Sequence, residues 1–154
     1  MLIIDGSMGE GGGQILRSSI ALAIITGTPI TIENIRAKRD KPGLRKQHLT
    51  AVLAAGKICG ARVEGAHVSS SKLVFAPGKL APGDYHFDIG TAGTTTLVAQ
   101  TVLPPLMLAD AHSRLSLSGG THNIHAPPFD YLERVFVPLV NRMGPQVHLQ
   151  FERF

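Results

Sequence analysis

The stretch "MLIIDGSMGEGGGQILRSSIALAIITG", residues 1–27, decides the fold. A short apolar run leads into a glycine-rich turn, and a second apolar run long enough for a helix follows it. This order predicts a strand over residues 1–5 and a helix from about residue 13 to residue 25, which Gly27 would end. The glycines would then lie at a helix N-terminus, where backbone N–H groups have no partner within the helix.

The turn "GEGGGQ", residues 9–14, matches neither of the common phosphate-binding motifs. A P-loop requires a lysine after its last glycine, and a dinucleotide fingerprint starting at Gly9 requires a third glycine, but Gln14 occupies both places. Successive glycines still let backbone amides approach an anion closely. Glu10 would repel a bare phosphate unless a divalent cation lay between them. From this turn alone, a tight turn with a solvent-facing Glu10 remains the alternative.

Composition narrows the class of protein. The 154 residues are 44% hydrophobic, which suits one compact domain or two small subdomains sharing a core. No apolar run approaches the ~18 residues of a membrane span. Cys59 is the single cysteine, which excludes an intrachain disulfide and favours a reducing compartment, so we expect a cytoplasmic location, or a nuclear one in a eukaryote.

The formal net charge of +4 is concentrated in one stretch, residues 36–48. Its cations, opposed only by Asp40, are Arg36, Lys38, Arg39, Lys41, Arg45 and Lys46. Such a stretch is either a solvated face or a surface that contacts phosphates.

The rest of the chain repeats the opening order of elements. The first unit continues with a strand in "TPITIENIR", a helix from about Leu44 to Gly60 and a hairpin formed by "ARVEGAHV" and "KLVFAP". The second unit begins with the strand "DYHFDI", the turn "GTAGTTT" and an apolar helix that Pro104 and Pro105 should kink or end. The strand "SRLSLSGG", the helix "APPFDYLERVFVPLVNRMG" and the strand "PQVHLQFERF" complete it.

These patterns predict an α+β fold made of two units, residues 1–80 and residues 81–154. The second unit is expected to be incomplete at its C-terminus. Its last strand would leave an open sheet edge at residues 146–154, which we expect to pair with a second copy of the chain or with a complementary C-terminal chain.

Four long stretches closely resemble the RNA 3′-terminal phosphate cyclase family. They are "DGSMGEGGGQILRSSIALA" (5–23), "IRAKRDKPGLRKQHLTAV" (35–52), "GTAGTTTLVAQTVLPPL" (90–106) and "SGGTHNIHAPPFDYL" (118–132). The resemblance covers essentially the whole chain in order. It implies repeated βαβαββ units similar to the C-terminal domain of translation initiation factor 3, units that enolpyruvyl transferases also use.

The resemblance also implies a reaction. Family enzymes use ATP to convert an RNA 3′-phosphate into a 2′,3′-cyclic phosphodiester. A histidine attacks the α-phosphate of ATP, AMP passes from it to the RNA 3′-phosphate, and the neighbouring 2′-hydroxyl then displaces AMP. In the longer family members that histidine lies towards the C-terminus. We therefore expect this chain to be an N-terminal portion that contains no catalytic residue and is inactive alone.

The same resemblance implies the roles of individual residues. Glu10 would hold a divalent metal, Mg²⁺ or Mn²⁺, at the ATP phosphates. The residues implied to bind ATP are Gln14, Gln100 and Pro127. The residues implied to bind the RNA terminal phosphate are Arg17, Arg36, Arg39 and Gln47. The residue types suit these roles, because guanidinium groups grip phosphate oxygens in pairs and amides can read a nucleotide edge.

Alternatives stay open at this point. A non-catalytic, cyclase-like protein of ribosome biogenesis would share the fold, although the residues matching the active pattern argue against it. A simple RNA-phosphate-binding module would use residues 36–48 alone. The spacing of His122 and His125 could seat a metal but lacks a third ligand, and His48 is expected to pack or cap its helix.

Overall fold

The computed structural model describes residues 1–90 and 93–152 of the chain. The strands are β1 (Leu2–Asp5), β2 (Ile30–Glu33), β3 (Arg62–Glu64), β4 (Leu73–Ala76), β5 (Asp84–Asp88) and β6 (Arg114–Ser118). The helices are α1 (Gly13–Thr26), α2 (Lys46–Cys59), α3 (Thr95–Met107), α4 (Phe129–Tyr131), a π-helical turn (Leu132–Phe136) and α5 (Val137–Asn141). The predicted α+β class is confirmed.

The first sheet contains four strands in the order β1-β2-β4-β3. Strands β1 and β2 are parallel, with Leu2 opposite Ile30, and α1 connects them. Strand β4 is antiparallel to both of its neighbours, so the predicted hairpin of β3 and β4 is confirmed. Helix α1 ends as predicted, because Gly27 adopts a left-handed φ of 65° and its N–H bonds to the carbonyls of the last turn.

The second sheet is a parallel pair, β5 and β6, connected by α3. Both parallel units use an aspartate to start the turn after the first strand. Oδ1 of Asp5 accepts the N–H of Ser7, and Oδ1 of Asp88 accepts the N–H of Gly90, each at 2.9 Å. The turn "GTAGTTT" includes residues 91 and 92, which lie outside the described residues. The repeat and its boundary at residue 80 stay predictions.

Helices α1, α2 and α3 pack against one another; α1 also contacts β2 and β4 of the first sheet, whereas α2 contacts β5 and α3 contacts β6 of the second. The largest fully buried side chains are Phe75, Leu16, Ile20, Ile30, Ile32, Ile35, Leu44, Ile58, Leu73, Val52, Val98 and Val102. Burying one such side chain contributes about 1.5 to 3 kcal/mol, so this cluster is the main stabilising term. Within the described ranges, no helix is long and apolar enough to cross a membrane.

Helix α3 does not end at its two prolines. It continues through Pro104 and Pro105 to Met107, where Leu108 caps it. Each proline removes one hydrogen bond to the carbonyl four residues earlier, and the helix ends two residues after Pro105. Pro105 and Leu106 are buried, and their packing offsets that loss.

The strand predicted for "PQVHLQFERF" is wrong for residues 145–152, which form no strand. Instead, the N–H and C=O of Val147 bond to the side-chain amide of Asn141 at 2.8 and 2.9 Å. A strand needs a continuous ladder of backbone partners, and this side chain takes the backbone groups such a ladder would use. Residues 153 and 154 lie outside the described range. The open sheet edge expected at residues 146–154 therefore has no strand behind it in residues 146–152.

His48 caps the N-terminus of α2, which is one of the two roles expected for it, packing or capping. Its Nδ1 accepts the N–H of Arg45 at 3.2 Å, beside the first helical bond from Leu49 to Arg45. Burial, and after it the charges of Arg36, Arg17 and Arg45, lower the pKa of His48 from 6.5 to about 4. The imidazole is therefore neutral in the folded chain at neutral pH.

The α1 face buried in the core should dominate stability. Ile20 is fully buried and Leu22, on the same helix, is 58% exposed. We expect Ile20→Ala to lower the free energy of unfolding by about 2 to 5 kcal/mol because it leaves a cavity. Leu22→Ala should change it by less than about 0.5 kcal/mol. Urea unfolding of both variants measures this, and equal losses would contradict the assigned core.

Acid should destabilise the fold through His48. Between about pH 7 and pH 4 the unfolded chain takes up a proton on this ring that the folded chain excludes. We expect the free energy of unfolding to fall by on the order of 2 to 3 kcal/mol over that range from this group. His48→Asn keeps a side-chain acceptor for Arg45 and does not titrate, so it should lose that part of the pH dependence. An unchanged pH profile in the variant would refute the assignment.

Candidate phosphate-binding site

The glycine-rich turn places the N-terminus of α1 at the edge of the first sheet. Gly9 and Gly11 adopt left-handed φ values of 55° and 58°, which other residues rarely tolerate. Helix α1 begins at Gly13, and its first turn contains no acidic residue. Its unpaired N–H groups therefore present a partial positive charge that no side chain of that turn neutralises.

Arg17 is the central side chain of the site. It is only 8% exposed, and its Nε donates to Oε1 of Gln100 at 3.0 Å while Nη2 donates to Oε1 of Gln14 at 3.3 Å. Among the described residues, no carboxylate lies within ion-pair distance of this guanidinium. Burial lowers the pKa of Arg17 below its ordinary value. A buried cation held only by neutral amides favours an anion beside it.

Glu10 and Arg39 meet above the turn. Nη2 of Arg39 lies 3.4 Å from Oε2 of Glu10, and both side chains are well exposed. Lys38 also reaches the turn, with Nζ 3.5 Å from the carbonyl of Gly9. The basic stretch thus meets the glycine-rich turn. An exposed ion pair contributes little to stability, so Glu10 and Arg39 can exchange partners at small cost.

Gln47 joins α2 to the start of α3. Its Oε1 accepts the N–H of Thr94, the buried N-cap residue of α3, at 3.3 Å. The amide nitrogen of Gln47 is the end that can donate to an anion.

Arg36 performs a local task beside its predicted role. It has a positive φ of 55°, and Nη1 donates to the carbonyls of Lys41 and Gly43 at 2.6 and 3.1 Å. The guanidinium therefore holds the loop that leads into α2. Its role in binding RNA phosphate stays a prediction.

Gln100 lies on α3, and Pro127 lies in the loop after β6, which bonds to the start of α3. In that loop, the N–H of Gly120 donates to the carbonyl of Gly93 at 2.8 Å, and its carbonyl accepts the N–H of Thr95 at 2.9 Å. Pro127 lies further along this loop and is exposed. Within the described part of the chain, no hydrogen bond joins it to Gln100, so its contact with a nucleotide stays a prediction.

His122 is committed to a hydrogen-bond network. Its Nδ1 lies 2.9 Å from Oγ1 of Thr121, and its Nε2 lies 2.9 Å from Oδ2 of Asp130. The imidazole holds the pKa of the Asp130 carboxyl below its usual range. With both nitrogens engaged, His122 is not placed to bind a metal with His125.

A divalent cation fits this site only if protein and substrate share its coordination. Residues 1–90 and 93–152 contain no group of three or more histidine, cysteine or acidic side chains that could hold a metal. Mg²⁺ commonly binds through one or two carboxylates together with substrate phosphates and water. Glu10 can supply such a carboxylate, with phosphate oxygens completing the set.

The comparisons with known proteins agree on one family. A family model described as RNA 3′-terminal phosphate cyclase matches residues 8–154. A Koribacter versatilis protein named RNA 3′-terminal phosphate cyclase is 56% identical over 154 residues, all of this chain and 43% of that protein. A Ralstonia nicotianae protein of the same name is 58% identical over 150 residues, 97% of this chain and 43% of that protein.

The chain spans less than half the length of these two relatives. Within that span the match is nearly continuous, and it includes the glycine-rich turn, the basic stretch and the loop after β6. The chain therefore belongs to the RNA 3′-terminal phosphate cyclase family.

Proposed function

We propose that this chain forms the phosphate-binding part of an RNA 3′-terminal phosphate cyclase. The reaction would be the ATP-dependent conversion of an RNA 3′-phosphate into a 2′,3′-cyclic phosphodiester through enzyme-AMP and RNA-adenylate intermediates. One observation carries the proposal: the buried guanidinium of Arg17 has only amide partners and lies at the N-terminus of α1. Phosphate supplies the negative charge that this position favours.

The surrounding residues divide the work between the two substrates. Gln14 and Gln100 fix the orientation of Arg17, and the free end of the Gln100 amide would read the nucleotide. Arg39 and Gln47 would grip the terminal phosphate of the RNA, with Arg36 beside them. Holding ATP and the RNA end in one orientation is the main contribution a protein makes to phosphoryl transfer.

Glu10 would bind a divalent cation at the ATP phosphates. The cation, when bound, would neutralise phosphate charge. Glu10 would then give up its exposed ion pair with Arg39, and the released guanidinium would turn to a phosphate oxygen. The pair thus keeps Arg39 near the site until substrate arrives.

We propose that the nucleophilic histidine is supplied from outside residues 1–154. His48 is neutral and caps α2, and His122 is bonded on both nitrogens. In the neutral ring of His48 the lone pair lies on Nδ1, which accepts the N–H of Arg45, so it is not available for attack; Nε2 carries the proton. Nucleophilic catalysis requires a nitrogen with a free lone pair.

Removing the charge of Arg17 should weaken ligand binding without lowering the stability of the fold. We expect Arg17→Met, which keeps most of the side-chain volume, to weaken binding of ATP and of 3′-phosphate RNA by roughly tenfold or more. The free energy of unfolding should stay the same or rise by about 1 kcal/mol, because a buried unpaired charge is lost. Calorimetric titration and urea unfolding measure the two quantities. Intact binding with lost stability would show that Arg17 is structural.

The RNA terminus should matter for binding. We expect an oligonucleotide ending in 3′-phosphate to bind more tightly than the same RNA ending in 3′-hydroxyl, and Arg39→Ala to reduce that preference about fivefold. Arg62→Ala is the matched control, since Arg62 is an exposed arginine on β3. Fluorescence anisotropy measures the affinity of the wild type and of both variants for each RNA end. Equal binding of both RNA ends would favour a simple RNA-binding module instead.

The chain alone should not become adenylylated. Incubation with α-labelled ATP and Mn²⁺ should leave no label bound to it after denaturing electrophoresis, because the nucleophile lies elsewhere. A full-length relative from Koribacter versatilis serves as the positive control. Covalent label on this chain would overturn the proposal that its histidines are not nucleophiles.

A further inference from the structure

The tautomer of His48 follows from its role as a helix cap. Nδ1 accepts the N–H of Arg45, and a neutral imidazole has one acceptor and one donor nitrogen. The proton must therefore be on Nε2. Burial beside three arginines keeps the ring neutral, since it lowers the pKa of His48 to about 4. At neutral pH the side chain presents a fixed N–H donor.

That donor points to the start of α1. An ideal Cβ built at Gly13 would collide with Nε2 of His48 and would lie 2.8 Å from Nη1 of Arg17. Both nitrogens therefore approach one point beside the first residue of the helix. Among the described residues, Nε2 of His48 has no hydrogen-bond acceptor, because its only hydrogen bond is made by Nδ1.

We propose that His48 is a further phosphate-binding residue, which donates its Nε2–H to a phosphoryl oxygen held beside Arg17. The inference rests on the proposed function, since it places the phosphate at this helix terminus. A neutral donor suits the position because a second charge would repel Arg17, Arg36 and Arg45, which surround the ring. Gly13 is required there because any Cβ would displace the imidazole.

Two substitutions separate this role from the capping role. In His48→Asn, the side-chain oxygen can replace Nδ1 as the acceptor for Arg45, but nothing reaches the position of Nε2. In His48→Gln, the longer amide can place a donor at the position of Nε2, but it is a poorer match for Nδ1. Both variants are titrated with 3′-phosphate RNA, 3′-hydroxyl RNA and ATP. Comparison of the three ligands distinguishes binding of a terminal RNA phosphate from binding of the phosphates of a nucleotide.

We expect His48→Gln to retain affinity for the phosphorylated ligand within about threefold and His48→Asn to lose roughly tenfold or more. The reverse order, equal losses, or no loss in either variant would each overturn the proposal, because each assigns His48 a capping role only. If wild-type chain does not distinguish 3′-phosphate from 3′-hydroxyl RNA and does not bind ATP, the proposed function itself fails. The two failures are therefore separable.

A measurement on the wild-type chain avoids dependence on folded variants. Long-range ¹H–¹⁵N spectra of the histidine rings should show His48 protonated on Nε2. The Nε2 signal should shift when 3′-phosphate RNA or ATP is added and stay in place with 3′-hydroxyl RNA. Protonation on Nδ1, or an Nε2 signal that the phosphorylated ligands leave unmoved, would overturn the proposal.

Discussion

The buried guanidinium of Arg17 constrains how helices α1 and α3 meet. A charge in the interior is tolerated only where polar groups are brought to it. Here Gln14 comes from one turn earlier on α1, and Gln100 comes from α3, 83 residues away in sequence. The contact between α1 and α3 is therefore not purely apolar. It contains the hydrogen bond between Arg17 and Gln100, and a displacement of either helix would leave the buried guanidinium without this partner.

The glycines of the turn serve two physical purposes. Gly9 and Gly11 are needed for their left-handed backbone, which bends the chain from β1 into α1. Gly12 and Gly13 are needed for space, because a Cβ on Gly12 would press on the guanidinium of Arg39 and a Cβ on Gly13 would displace His48. The turn thus brings the basic stretch against a helix N-terminus, which a turn of ordinary residues would keep apart.

Local patterns predicted most of the fold. Gly27 and Gly60 mark the ends of α1 and α2 because a left-handed cap is a local requirement. The strand prediction for residues 145–152 was wrong. Their sequence pattern suits a strand, but a strand forms only where another strand pairs with it. Asn141 instead binds the backbone of Val147, a side-chain contact that periodicity does not encode.

The sequence predicted which residues belong to the candidate site, but not how their side chains contact one another. The resemblance identified Arg17 and Gln100, but only the structure shows that they bond to each other. His48 was assigned to packing or capping because Nδ1 explains its place on the helix. Its second nitrogen faces α1, and that direction depends on how α1 and α2 pack. The signal in the sequence was its position directly after Gln47.

Fixed and exchangeable charges would have different uses in the proposed site, which would bind two substrates. Arg17 is buried and already oriented, so binding a phosphate beside it orders few additional side-chain rotamers. Glu10 and Arg39 are exposed and paired only weakly, so they can separate when a cation takes the carboxylate. A phosphate held by the fixed group could remain in place while the exposed arginine moves from its internal partner to an RNA end. A site built only from exposed charges would lose orientation, and one built only from buried charges would not release its product. The observed combination of one buried arginine with an exposed ion pair would meet both requirements of the proposed reaction.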